Sequence, residues 1–369
     1  METSETQKQM SKPRIAVIGL KGLPAFGGAA VVGQHLLDHM KDDFDFTIYA
    51  VASHTDQKEY KGIRQIVLPN FGKGALNTLL YYVQCLFHCL LLGRYDMIHL
   101  HHSESGFIVP LLKLRFRVLT TFHGIYRELD PKFGKAANWL FKYGTEQNLK
   151  HADVVTSVSE PDAVYCREHY KTEVDYIPNG IDILPLDAQR PSGRITFAAG
   201  RIYEIKGLHF LLQAMKEMEN PPALTVIGDT DQVLAYRDMI MEMSKGLDVE
   251  YVGLIKDREK LFQIISASSL FVFPSVTEAM SMMLLEVASL RTPIIASDIE
   301  ANQAVFGNEE VLFFKTENYK SLQEKLELAL AQPEQMEQRV AKAYERLCGQ
   351  YTWDEICKHY GAYYMQSIH

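Results

Sequence analysis

Arg14 to Gly19 reads RIAVIG, a nearly unbroken apolar run, and a run of the same kind returns at Ile195 to Ala199. A strand with no polar alternation suits a parallel sheet covered on both faces, since neither face meets water. Each run opens a series in which short apolar segments alternate with helix-like ones. In the first series, strands are expected at Phe46–Ala50, Gln65–Leu68, Asp96–His101, Arg117–Phe122, Val154–Ser157 and Val174–Ile177, with helices near Ala29–Met40 and Ala75–Leu92. Pro185 to Gly193 interrupts the rhythm with proline, aspartate and glycine, as a linker does. In the second series, strands are expected at Leu224–Gly228, Glu250–Val252, Leu270–Pro274 and Pro293–Ser297. Helices are expected at Gly207–Glu217, Gln232–Ser244, Glu259–Ala267 and Ser281–Arg291, and the tail reads as helical from about Tyr319. Such alternation implies two doubly wound α/β domains. The expected boundaries are 1–184, 185–350 and a closing helical segment, 351–369, packing back on the first domain.

A chain of 369 residues is too long for one ordinary core. Its net charge of −8 argues against nucleic acid as a partner. The five cysteines show no zinc-type CxxC pairing, so reduced, structural thiols are expected. Met1 to Lys12 is polar, with no signal peptide evident. The most apolar window, Ala75–Leu92, contains Asn77, Thr78, Gln84 and His88, which argues against a membrane-spanning helix.

Candidate chemistry gathers at strand ends. Glu278 falls on the loop after Leu270–Pro274, and Glu286 one to two turns into the next helix. The start of that helix, at Ser281 and Met282, offers backbone N–H groups to an anion. Hydroxyl, phosphate and hydroxyl recognition in that order matches the polar outline of a nucleotide sugar. Arg201 and Lys206, in AGRIYEIKG, follow another strand end and suit a diphosphate. Gly27 and Gly28 open the first helix in GLPAFGGAA, where glycine lets a backbone approach a ligand. The G-x-G-x-x-G fingerprint is absent, which disfavours a dehydrogenase. His123 ends the strand in TTFHG. His99, His101 and His102 cluster in MIHLHHS without the further ligands a zinc site needs. Asp43/Asp45 and Asp229/Asp231 form two D-x-D triplets, read as turn residues rather than metal ligands.

In order along the chain stand Gly27-Gly28, DMIHLHH, HG at His123-Gly124, VSE, IPNGID and GRIYEIKG. They continue with VIGD, YVGL, FPSVTEAMSMMLLEV, TPIIASDI and YTWDEICKHY. This ordered set resembles the GT-B glycosyltransferases, and the retaining family 4 (group 1) in particular. The resemblance implies two Rossmann-like domains facing across a cleft. It implies that Arg201 and Lys206 hold a diphosphate and that Glu286 binds ribose. Glu278 would meet the donor sugar near its anomeric centre, His123 the sugar hydroxyls, and Gly28 the phosphate or acceptor. Ala279 and Ser281 stand where the family often has glycine, Ala30 where it often has an acid, and Ala304 where it often has a glutamate, which bears on donor choice.

The expected activity is retaining, metal-independent transfer of a hexose from a nucleoside-diphosphate sugar of UDP or GDP type, with no cofactor. The acceptor would be a saccharide or lipid-linked saccharide, in bacterial cell-surface polysaccharide synthesis. The alternatives are a sugar-nucleotide epimerase or hydrolase, and a non-catalytic nucleotide-sugar-binding subunit. The expected place is the cytoplasm, with weak peripheral membrane contact through LLKLRFR, Leu111–Arg117, and Lys132, Lys135 and Lys142.

Overall fold

The computed structural model of the chain describes residues 12–25, 28–71, 74–125, 127, 134–183 and 193–366. The elements of its first half are β1 (Arg14–Lys21), α1 (Gly28–Met40), β2 (Asp45–Val51), β3 (Glu59–Tyr60), β4 (Ile63–Leu68), α2 (Gly74–Leu92) and β5 (Met97–His101). A 3-10 turn at Ser103–Ile108 runs into α3 (Val109–Leu112). Then follow β6 (Arg117–Phe122), α4 (Lys135–His151), β7 (Val154–Ser157), α5 (Glu160–Tyr165) and β8 (Asp175–Tyr176).

The eight strands form one sheet in the order β3-β4-β2-β1-β5-β6-β7-β8. Every pairing is parallel except the edge hairpin β3–β4. That hairpin turns through Lys61 and Gly62, both left-handed at φ 47° and 87°, the backbone a two-residue primed turn needs. Ile15, Ala16, Val17 and Ile18 of β1 have no exposed surface, as the unbroken apolar run requires of a strand covered on both faces.

The second half contains β9 (Ile195–Arg201), α6 (Leu208–Lys216), β10 (Leu224–Asp229), α7 (Leu234–Met243), β11 (Val249–Gly253), α8 (Arg258–Ser266) and β12 (Leu270–Phe273). It continues with α9 (Met282–Ser289), β13 (Ile294–Ser297), α10 (Glu300–Val305), β14 (Leu312–Phe314), α11 (Tyr319–Ala331), α12 (Pro333–Gln350) and α13 (Trp353–Met365). Its six parallel strands run β11-β10-β9-β12-β13-β14. Two apolar clusters cover this sheet. Phe271 and Phe273 of β12 enter the one with Leu284 and Leu285, while Leu270 and Val272 enter the one with Leu211 and Leu212. Successive side chains of a strand thus feed opposite faces.

The chain divides into two compact units, neither of them continuous. The first takes Met1–Ser157, Ala163–Ile177 and Cys357–His369; the second takes Val158–Asp162 and Pro178–Ile356. The boundary expected at 184–185, and most of the expected linker, lies outside the described residues. The helical tail expected from about Tyr319 is three helices, the last of them within the closing segment expected at 351–369. Pro333 starts α12 and has no N–H to continue α11, and Tyr351–Thr352 separates α12 from α13. Helix α13 begins with residues of the second unit and ends with residues of the first. In the first unit Tyr364 has no exposed surface and packs edge-on to Phe44 at 5.1 Å between centroids.

Candidate active site

In the second unit the strand order reverses between β9 and β12, and a doubly wound sheet binds ligands at such a point. Two loops meet there. The loop after β9 carries a 3-10 turn at Glu204–Lys206 and then Gly207, left-handed at φ 72°, ψ 14°. The loop after β12 runs through Glu278 to Ser281, the residue that precedes α9. Val276 N donates to Ile205 O at 2.8 Å, zipping the loops together. A Cβ on Gly207 would lie 2.0 Å from Pro274 O, so only glycine fits. Lys206 Nζ then reaches Glu278 Oε1 at 2.6 Å, with side chains 21% and 14% exposed. This is a charge-assisted hydrogen bond at a partly dry position.

Arg201 ends β9 on the exposed side, opposite Asp229 in strand register. Asp229 Oδ1 accepts from Asp231 N at 2.9 Å and Oδ2 from Gln232 Nε2 at 2.9 Å. These donors hold the Asp229 carboxyl below the usual carboxylate range. Asp231 pairs with Arg237 at 3.1 Å. The D-x-D at 229–231 is therefore a turn that caps itself.

Glu286 lies inside α9, only 4% exposed. Arg258 Nη2 donates to its Oε1 at 2.8 Å. A buried carboxylate needs such a partner. Arg258 is the first residue of α8, with Asp257 capping the helix through Glu259 N and Lys260 N. Its guanidinium also sits 4.9 Å from the centre of the Phe262 ring. Sequence reasoning missed Arg258, because nothing in its spacing links it to Glu286. Ser281 makes no side-chain cap on α9, so the N–H groups of the first turn at Met282 have no capping oxygen there. Asn179, in the IPNGID motif, steadies the Glu278 loop. Its N donates to Met280 Sδ at 3.1 Å and its Nδ2 to Met280 O at 3.5 Å. Its Oδ1 is buried without a partner among the described residues.

The first unit carries the remaining candidates. Gly27 lies outside the described residues. Gly28 opens α1 at φ 54°, with nothing within 4 Å of where a Cβ would stand. His99, His101 and His102 lie at the end of β5, and His123 follows β6. His99 Nδ1 bonds Tyr364 OH at 2.7 Å and His99 Nε2 bonds Thr121 Oγ1 at 2.8 Å, so both ring nitrogens are engaged. His101 Nδ1 and His123 Nε2 are 2.9 Å apart, with the rings stacked at 18°. Burial, and then the neighbouring imidazoles, hold His101 and His123 well below the usual histidine value. The structure thus brings Lys206, Glu278, Arg201, Ser281, Met282 and Glu286 to one unit and His123 and Gly28 to the other.

In the stretch LLKLRFR the cations serve the fold. Lys113 pairs with Asp153, Arg115 donates to Leu90 O and to Gly93 O, and Arg117 donates to Gln366 O. Lys132 lies outside the described residues. Leu114 and, at the end of α2, Leu91 stay about three-quarters exposed. Cys85 and Cys89 are buried among apolar side chains. Among the described residues no helix is long and apolar enough to cross a membrane.

Two family models match the chain: Glycosyltransferase Family 4 over residues 26–183 and Glycosyl transferases group 1 over residues 188–346. One similar relative is the UDP-Gal:alpha-D-GlcNAc-diphosphoundecaprenol alpha-1,3-galactosyltransferase of Escherichia coli. It is 26% identical over 61% of this chain and 63% of its own length. The chain spans about three fifths of the length of such curated relatives. Among solved structures, sucrose-phosphate synthase from Thermosynechococcus elongatus superposes with a TM-score of 0.81. It is 22% identical over 96% of this chain and 99% of its own. HepE of Anabaena, in complex with UDP, superposes with a TM-score of 0.77 at 14% identity, over 96% of this chain and 100% of its own. With two complementary family matches and a shared two-sheet architecture, the chain belongs to the group 1 glycosyltransferases and has their GT-B fold.

Proposed function

We propose that the chain is a retaining, metal-independent hexosyltransferase. It would move a sugar from a nucleoside-diphosphate donor, of UDP or GDP type, to a saccharide or lipid-linked saccharide of the bacterial cell surface. The observation that carries this reading is the Lys206–Glu278 pair at the point where the strand order reverses, with Arg201 at the end of the neighbouring strand. A UDP complex of one structural neighbour and the UDP-sugar and lipid-diphosphate in the name of one relative support the same donor and acceptor classes.

In this reading Lys206 and Arg201 neutralise the charge that grows on the leaving diphosphate, work that a divalent ion performs elsewhere. The N–H groups at Ser281 and Met282 add to it. A leaving phosphate oxygen takes the proton of the acceptor hydroxyl on the face it departs from, so the configuration is kept. Glu286 receives the ribose hydroxyls, Glu278 the sugar near its anomeric carbon, and His123 a sugar hydroxyl. Gly28 gives backbone room beside the phosphate or acceptor.

Peripheral contact at the inner face of the membrane belongs to this proposal, through exposed Leu91 and Leu114 rather than through the engaged cations. Co-sedimentation with anionic vesicles that persists at high salt supports an apolar contact, and its absence at any salt removes it.

A thermal-shift panel of UDP- and GDP-sugars tests the donor assignment. A ligand at a hundredfold excess over its dissociation constant adds about 2.7 kcal/mol of stability. Stabilisation by one donor, abolished in Glu286→Ala, is the expected result. No stabilisation by any nucleotide would overturn the reading. Release of nucleotide without acceptor, as fast as with it, would favour a hydrolase.

A further inference from the structure

Between His101 and His123 there is room for one proton. Their facing nitrogens, Nδ1 and Nε2, are 2.9 Å apart, and both rings are kept neutral by burial. One ring must therefore donate and the other accept. The two rings are not equally placed. His101 is 2% exposed, while His123 is only partly buried. His101 is also clamped. Its ring lies 4.2 Å from that of His99, whose own nitrogens are taken, and 5.2 Å from that of His123. Its backbone is pressed by β1, where a Cβ on Gly19 would come within 2.5 Å of His101 O.

We propose that His101 is the positioning residue of His123: it occupies Nε2, sets the tautomer, and leaves Nδ1 as the nitrogen offered to the substrate. This rests on the reading of His123 as a contact to the sugar. If His101 Nδ1 carries the proton, His123 presents an N–H to a sugar oxygen. If His123 Nε2 carries it, His123 presents a lone pair to a sugar hydroxyl. The buried partner makes the choice, because its own surroundings lie in the packed interior of the first unit. Those surroundings are His99 on the same strand and His102 just after it, with Lys21 at the end of β1 and Glu104 on the 3-10 turn acting in turn on His102. Tyr364 and Tyr360 of α13 complete them, reaching His99 and Thr121.

The test uses the full chain with three variants. His101→Phe keeps a flat ring and removes the nitrogen, His101→Asn restores a polar atom near Nδ1, and His123→Ala removes the contact itself. Turnover, donor affinity and melting temperature are measured on each, and histidine ¹⁵N shifts report the tautomer of His123. Removing a partner that orients an imidazole typically costs roughly ten- to a hundredfold. The expected result is such a loss of kcat in His101→Phe, with donor affinity held within about twofold and most activity recovered in His101→Asn. In the unsubstituted protein His123 should show one tautomer, and in His101→Phe a mixture. If His123→Ala cuts turnover while His101→Phe changes neither turnover nor tautomer, the positioning role is wrong and the sugar contact stands. If His123→Ala leaves turnover unchanged, the sugar contact falls and takes this inference with it. A mixture of tautomers in the unsubstituted protein also overturns the proposal, whether or not the variants fold.

Discussion

Lys206 and Glu278 stand 72 residues apart in sequence and 2.6 Å apart in space, Nζ to Oε1. With both side chains mostly sheltered, the resting site already holds its cation against a carboxylate of its own. In the proposed reading, a diphosphate arriving there would replace one anionic partner of Lys206 with another. That exchange favours the ligand with more charge and more acceptor oxygens.

Lys206→Ala should therefore weaken UDP or GDP far more than the bare nucleoside. A hydrogen bond to a charged group is worth about 1.5–3 kcal/mol, roughly a ten- to hundredfold change in affinity. Calorimetric titration of nucleoside and nucleoside diphosphate against both proteins measures it. Equal losses for the two ligands would take Lys206 out of the diphosphate site.

Gly207→Ala should destabilise the second unit. An L-residue at φ 72° costs roughly 1–2 kcal/mol, and the added Cβ would overlap Pro274 O at 2.0 Å. Each kcal/mol is about 2–4 °C of melting temperature in a unit of this size. A drop of several degrees is expected, with Gly106→Ala giving a comparable loss in the first unit, where the Cβ would meet Gly144 O at 1.8 Å. An unchanged melting temperature in Gly207→Ala would show that the two loops separate at little cost.

Acid should weaken the first unit through its buried histidines. Burial lowers His99 from its ordinary 6.5 to about 3. Between those values the unfolded chain binds a proton that the folded one refuses, so stability rises with pH there. The contribution is complete above about pH 6.5 and is lost as pH falls toward 3. Across that window each pH unit removes about 1.36 kcal/mol. Urea unfolding at pH 7.5 and pH 5.5 should show a smaller acid loss in His99→Gln than in the unsubstituted protein. Parallel losses would exclude His99 as the group responsible.

Transfer should proceed in excess EDTA. Asp229 is already occupied by Asp231 N and Gln232, and Asp231 by Arg237. Activity lost on chelation and restored by manganese or magnesium would make that turn a metal site.

The strand–helix rhythm was readable because strands buried on both faces leave unbroken apolar runs, as Arg14–Gly19 and Leu270–Phe273 do. Lys206 and Glu278 were recognisable as strand-end residues; their contact was not, since pattern says nothing about which loops meet. Helix α4 escaped notice for a different reason. Gly144 sits inside it, and glycine ordinarily weakens a helix. Here a Cβ at 144 would lie 2.4 Å from Ser103 O, so the glycine allows the 3-10 turn and the helix to touch. The edge hairpin is marked only by Lys61-Gly62, and its strand β3 is two residues long. Arg258 is invisible for want of any local signal, although a carboxylate as buried as Glu286 demands a partner.

Helix α13 has a consequence for how this polypeptide is made. Tyr364 caps His99 and packs on Phe44, and Tyr360 reaches Thr121. The ribosome delivers these tyrosines only after it has produced the whole of the second unit. Vectorial synthesis therefore leaves the first sheet waiting, with His99 and the Phe44 face uncovered, while a complete neighbour folds downstream. A fragment cut at the junction between the units would inherit that unfinished state, so dissection of this chain into halves calls for grafting residues 357–366 back onto the first.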